Sequence, residues 1–96
     1  MADNTMKRLS LAESLGPAEA TDLADKLRTL RGAGLEIEAR SVRRLGGLCV
    51  QVLLSAAATW RQDGLPLRLV EASPEFEESL RLLGLSADAL SAGDPA

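Results

Sequence analysis

Three short segments place an aliphatic residue at every second position. They are residues 8–12 (Leu9, Leu11), 35–39 (Leu35, Ile37, Ala39) and 65–70 (Leu65, Leu67, Leu69). A period of two marks a strand with one buried face. Between and after them run three stretches with apolar residues at helical spacing, so the order is strand, helix, strand, helix, strand, helix. Strands separated by helices pair in parallel through right-handed crossovers. A sheet covered on both faces would show continuous apolar runs. These strands alternate, so the fold class expected is a small, mainly parallel α/β sheet with helices packed on one face. Sequential strand order gives that result. The open face would carry Arg8, Ser10, Glu36, Glu38 and Arg68, whose cross-strand pairs are worth about 0.2–1 kcal/mol each.

The helix signals are local. Pro17 follows Gly16 at a first helical position, with Glu19 in the first turn; Ala20, Leu23, Ala24, Leu27 and Leu30 form a stripe that Gly32 and Gly34 end. The second helix is expected over about 46–62. The third opens with Ser73 as N-cap and Pro74 as first residue, with Glu75, Glu77 and Glu78 at the positive end of the dipole. Phe76, Leu80 and Leu83 are its stripe, and Gly84 ends it. Pro66 is tolerated near the start of the third strand. Residues 85–90 add a short turn. Residues 1–6 and 91–96 read as loose ends, so residues 1–96 form one domain with an ordered core of about 8–90.

Composition excludes more than it selects. The 96 residues carry one cysteine, no histidine, no tyrosine and a net charge of −3. Without histidine, the commonest general base and metal ligand is missing. No internal disulfide is possible. With Trp60 and Phe76 as the only aromatics there is no stacking platform for nucleic acid, and no broad basic surface. No apolar run reaches bilayer length: 48–58 is broken by Gln51 and Ser55. The start is polar and is not a secretory signal, which points to the cytoplasm. No cofactor and no metal are expected, and a non-catalytic binding module is favoured over an enzyme. Oligomeric state is left open.

The stretch DGLPLRLVEASPEFEESLRLLGL, residues 63–85, resembles the ending of STAS domains, in which Gly64, Leu67, Leu69, Ser73, Leu80, Gly84 and Leu85 stand at the family's positions. The first helix and LEIEARSV also fit, and the similarity runs from about 9 to 90. STAS is the fold of anti-anti-sigma factors and small bacterial regulatory relatives. In phosphorylatable members the second long helix begins with a motif like Asp-Ser-Ser/Thr-Gly-Leu, and a partner kinase modifies the hydroxyl. One register matches that motif to Gly46, Gly47, Leu48, Cys49 and Val50; another places Arg44, Leu45 and Gly46 ahead of Gly47 and Leu48. Neither supplies a serine, threonine or aspartate. The N-terminus is also short for the hairpin that opens many members.

What stands there instead is RRLGGLC, residues 43–49. The first amides of a helix are unpaired and carry roughly half a positive charge. Arg43 and Arg44, with Arg40 three residues earlier, add charge to an end where arginine does not help the helix. Two readings follow. Arg40, Ser41, Arg43, Arg44, Gly46 and Gly47 form a basic rim for an acidic or phosphorylated partner. Otherwise the arginines are solvated, or pair with Glu36, Glu38 or Asp63, and the glycines make a tight turn. Two glycines without a following lysine and serine are not a familiar phosphate loop.

On the second helix Leu45, Cys49, Val52, Leu53, Ala56 and Trp60 centre the inner face. Val50, Leu54 and Ala57 widen it. Val50 and Leu54 belong either to the partner surface or to packing against the first or third helix. Cys49 reads as a small buried hydrophobe, Trp60 as core, and Ser41 as a turn residue before a phosphoacceptor. The resemblance implies an interaction module in bacterial signal transduction, binding a histidine kinase of chemotaxis or two-component type, or a kinase-like anti-sigma factor. Its alternatives are an accessory STAS subunit of an ABC-type lipid transporter and, less favoured, a small nucleotide-binding protein.

Overall fold

A computed structural model describes residues 6–93. Three strands, β1 (Lys7–Ser10), β3 (Leu35–Glu38) and β5 (Leu67–Val70), form a parallel sheet in the order β1-β3-β5. Its register puts Leu9 beside Ile37 and Ile37 beside Leu69. Leu35, Ile37 and Leu67 are buried in one contiguous core with Leu23 and Leu27 of α1 (Pro17–Thr29), Leu53 and Trp60 of α2 (Gly47–Asp63), and Phe76 and Leu80 of α3 (Pro74–Leu82). All three helices therefore bury apolar faces on the same side of the sheet, although Leu83, expected on the stripe of α3, caps that helix and is exposed. The opposite face is polar, as the alternation requires. Arg8 pairs with Glu36 at 2.9 Å, and the Ser10 hydroxyl donates to Glu38 at 2.9 Å.

The helix ends follow their signals. Glu19 reaches back to the Gly16 amide at 2.8 Å, closing the head of α1. The Ser73 hydroxyl accepts from the Phe76 amide at 3.0 Å. Gly64 ends α2 in a left-handed conformation (φ 71°), where glycine avoids the Cβ penalty. The Trp60 indole N–H donates to the Ala33 carbonyl at 2.8 Å, so the largest buried side chain leaves no polar atom unpaired.

Three features depart from expectation. First, two further two-residue strands, β2 (Ser14–Leu15) and β4 (Arg44–Leu45), pair in parallel just before α1 and α2. Leu45 therefore lies in a strand and not on the inner face of α2. Second, β1 ends at Ser10, although the Leu11 amide still donates to the Glu38 carbonyl at 2.9 Å. Third, part of the expected loose tail is fixed. After the 3₁₀ turn Ala87–Leu90, Ala92 is buried and bridges Leu67 in antiparallel sense, covering the edge of β5. The loose starts and ends expected at 1–5 and 94–96 lie outside the described residues.

Ser73 is the one buried polar side chain among the described residues. Its hydroxyl also donates to the Val42 carbonyl at 2.5 Å. Ser73→Ala removes a cap and leaves that carbonyl without its donor. The expected cost is about 1–3 kcal/mol in urea unfolding, with the slope of the transition unchanged.

Candidate functional site

Parallel strands deliver their outgoing loops to one end of the sheet, where α/β proteins place their sites. Here those loops are tied together by backbone hydrogen bonds. The Ala39 amide donates to the Val70 carbonyl (3.2 Å) and the Ser73 amide to the Ala39 carbonyl (3.0 Å). The amides of Arg43 and Arg44 both reach the Glu13 carbonyl, at 2.8 and 3.1 Å, and the Gly46 amide reaches Leu15 at 2.9 Å. A shallow groove of about 240 Å³ opens between Glu13, Ser41, Arg43 and the head of α3 at Pro74 and Glu75.

Among the sequence-predicted site residues, Ser41, Arg43, Arg44 and Gly47 are exposed and come together at this end. Arg43 and Arg44 have no ion-pair partner among the described residues, unlike Arg8, Arg28, Arg31, Arg40 and Arg81. Arg40 is engaged internally. It pairs with Glu38 at 3.0 Å and with Glu71, forming a chain of contacts from Ser10 through Glu38 to the loop after β5. Glu71 has a left-handed backbone (φ 52°), uncommon for a side chain of its kind. Val50 is only 2% exposed and packs in the core, so it has no surface to offer a partner. Leu54 is half-buried against the same core. Both are held because α2 packs on two sides, against α1 and against the 3₁₀ turn and β5.

The two glycines serve different ends. A Cβ at Gly46 would stand 3.3 Å from the Leu15 carbonyl and 3.8 Å from the Gly16 Cα, so this position lets the heads of α1 and α2 approach closely. A Cβ at Gly47 would meet nothing within 4 Å, and packing gives no reason for glycine there. Alone among the three helices, α2 has neither a side-chain cap nor an acidic residue in its first turn. Leu48, in that turn, is 54% exposed. Sequence reasoning assigned this leucine to no face, although at 100° per residue it falls beside Ser55 and Thr59, away from the inner face. Cys49 is fully buried, its thiol directed at the Gly16 carbonyl (3.5 Å), and burial pushes its pKa up, away from thiolate chemistry.

The family model described as "Mlab, STAS domain" matches residues 2–91. The chain belongs to the STAS domain family. No curated protein and no solved structure gives a match. STAS domains are generally non-catalytic and mediate protein–protein interactions, with anti-anti-sigma factors as the type. The parallel three-stranded sheet and three helices of this chain are consistent with that fold. Among the described residues of this STAS domain, no helix is long and apolar enough to cross a membrane, and no cluster of side chains is arranged to hold a metal ion.

Two predictions test the construction of this end of the domain. Gly47→Ala is expected to leave thermal stability unchanged or raise it by up to about 1 kcal/mol. Gly46→Val should lower it by thrusting a branched side chain at the Leu15 carbonyl. The second concerns pH. The Ser10 hydroxyl, and then the Arg40 charge, hold the Glu38 carboxyl below its ordinary 4.5 against the opposing effect of desolvation. A depressed carboxylate stabilises the fold above its unfolded pKa, and that contribution is lost as pH falls through the lowered folded value. Unfolding of wild type and Glu38→Gln should therefore differ by a constant amount above about pH 5 and converge in more acid solution.

Proposed function

We propose that this STAS domain binds a signalling protein through the loop at 41–47 and the exposed first turns of α2. The partner class that suits an anti-anti-sigma-like module is a histidine kinase or a kinase-like anti-sigma factor. The observation that carries this reading is the uncompensated positive end of α2. Its first turn holds no side-chain cap and no carboxylate, two arginines beside it have no ion-pair partner among the described residues, and a leucine next to them is exposed. None of these choices stabilises the isolated domain. Each is explained by an acidic surface with an apolar contact brought from outside. Ser41 and the groove at Glu13, Arg43 and Glu75 lie at the edge of this surface, while Arg40 holds its loop in place.

A second reading follows from the absence of serine, threonine and aspartate in either register of the family's phosphorylation motif. A partner that never modifies the domain needs no acceptor there. The ATPase of an ABC-type lipid transporter, bound by an accessory STAS subunit, is such a partner.

The test is capture of partners by tagged protein from its native cell extract, identified by mass spectrometry, beside the Arg43→Ala/Arg44→Ala variant. A kinase captured by wild type, and at least tenfold depleted on the variant, supports the signalling reading. A transporter ATPase with the same dependence supports the second. A partner held equally by both proteins overturns the placement of the surface. Binding to the true partner should also weaken steeply with added salt, since the unpaired arginines are exposed.

A further inference from the structure

The heads of α1 and α2 lie side by side at Gly16 and Gly46, and their far ends are joined by the Arg31–Asp63 ion pair at 2.8 Å. The two helices therefore run parallel. Along their seam is an open groove of about 530 Å³, floored by Ala20, Ala24, Val52 and Ala56, with Leu48 at its mouth. Gln51, Ser55 and Thr59 line its α2 side with hydrogen-bonding groups. From Leu48 to Trp60 the seam is roughly 18 Å long, about three helical turns.

We propose that this seam receives an amphipathic helix of the partner, acidic toward its C-terminal end and lying antiparallel to α1 and α2. The inference rests on the reading of the α2 head as the partner-binding surface, and it names the segment that surface takes. Small side chains on the floor let a third helix approach closely, and its apolar stripe would cover Leu48 and Val52 in the manner of helix-in-groove recognition. The charge distribution sets the direction. At the far end the two arginines that line the seam are already paired, Arg28 with Asp25 and Arg31 with Asp63, and Arg61 in the last turn of α2 is turned to the Ser91 carbonyl instead. At the near end two parallel dipoles present their positive poles together. Glu19 answers that of α1, nothing in the first turn answers that of α2, and Arg43 and Arg44 have no ion-pair partner among the described residues. A helix arriving with its negative pole and its carboxylates at this end satisfies all of them.

A second copy of the chain is a poorer occupant. Besides Leu48, its exposed large apolar residues among the described ones are Leu82 and Leu83, at the end of a nine-residue helix whose Phe76 and Leu80 are already buried.

Photo-crosslinking in cells tests the proposal. p-Benzoylphenylalanine is introduced in the seam at Ser55, at the head at Arg44, and on the open sheet face at Arg68 as control. The expected result is that the Ser55 and Arg44 probes label one partner and the Arg68 probe does not. The labelled peptides should map to a single amphipathic helix, with the Arg44 contact C-terminal to the Ser55 contact and carboxylates beside it. Leu48→Glu should weaken capture at least tenfold with an unchanged melting temperature, since that side chain is exposed. If the Arg44 probe labels a partner and the Ser55 probe does not, or the two contacts fall in the opposite order, the helix in the seam is overturned while the surface at the α2 head stands. If both label another copy of this chain, the seam is a self-association site and the proposal fails. If neither labels anything, both readings fall.

Discussion

The Ser73 hydroxyl holds three parts of this fold at one point. It caps α3 by accepting from Phe76, it donates to the Val42 carbonyl, and the residue's own amide reaches Ala39. A polar group shut away from water must have its bonds satisfied, and this one has. The loop after β3 is thereby fastened to the loop after β5. Arg43 and Arg44 follow immediately, held from the other side by the Glu13 carbonyl. The Arg40–Glu38–Glu71 contacts add a second, solvent-facing tie across the same loops. The loops that make this surface are thus tied to one another by backbone, hydroxyl and ionic contacts.

Most of the fold was legible because its signals are local. Alternation of period two gave β1, β3 and β5, and the polar residues left over gave the open face, though not which of its charges pair; the structure joins Arg8 to Glu36. Proline, serine and acidic residues marked the starts of α1 and α3. What escaped was non-local. A two-residue strand has no period to read, so β2 and β4 were invisible and Leu45 was assigned to the wrong element. Ala92 lies in a polar, glycine-bearing stretch, and only the edge of β5 gives it a place. The wide apolar arc of α2 was visible, but not which neighbours would cover it; Val50 is in the core because α2 is packed from two directions. Arg40 and Glu71 meet across 31 positions, a distance over which single-sequence reasoning has no purchase.

The candidate surface was legible in a different way, through a rule that the sequence breaks. Helices favour carboxylates at their starts, and α1 and α3 comply. The start of α2 holds arginines and glycines instead. Natural sequences violate local preferences where something beyond stability is at stake. With neither a side-chain cap nor a carboxylate in its first turn, α2 leaves the positive pole of its dipole unmasked.

The parallel order β1-β3-β5 has a consequence for how the chain reaches this state. Each ladder joins strands on either side of a whole helix, so none can form as a hairpin. Loop-closure entropy must be met before any strand pairing returns stability. The β1-β3 ladder closes within the first half of the chain, across α1, whereas β5 has to reach β3 across α2. The end of the sheet that presents Arg43, Arg44 and Leu48 is assembled from both halves at once, so the surface does not exist before the fold does.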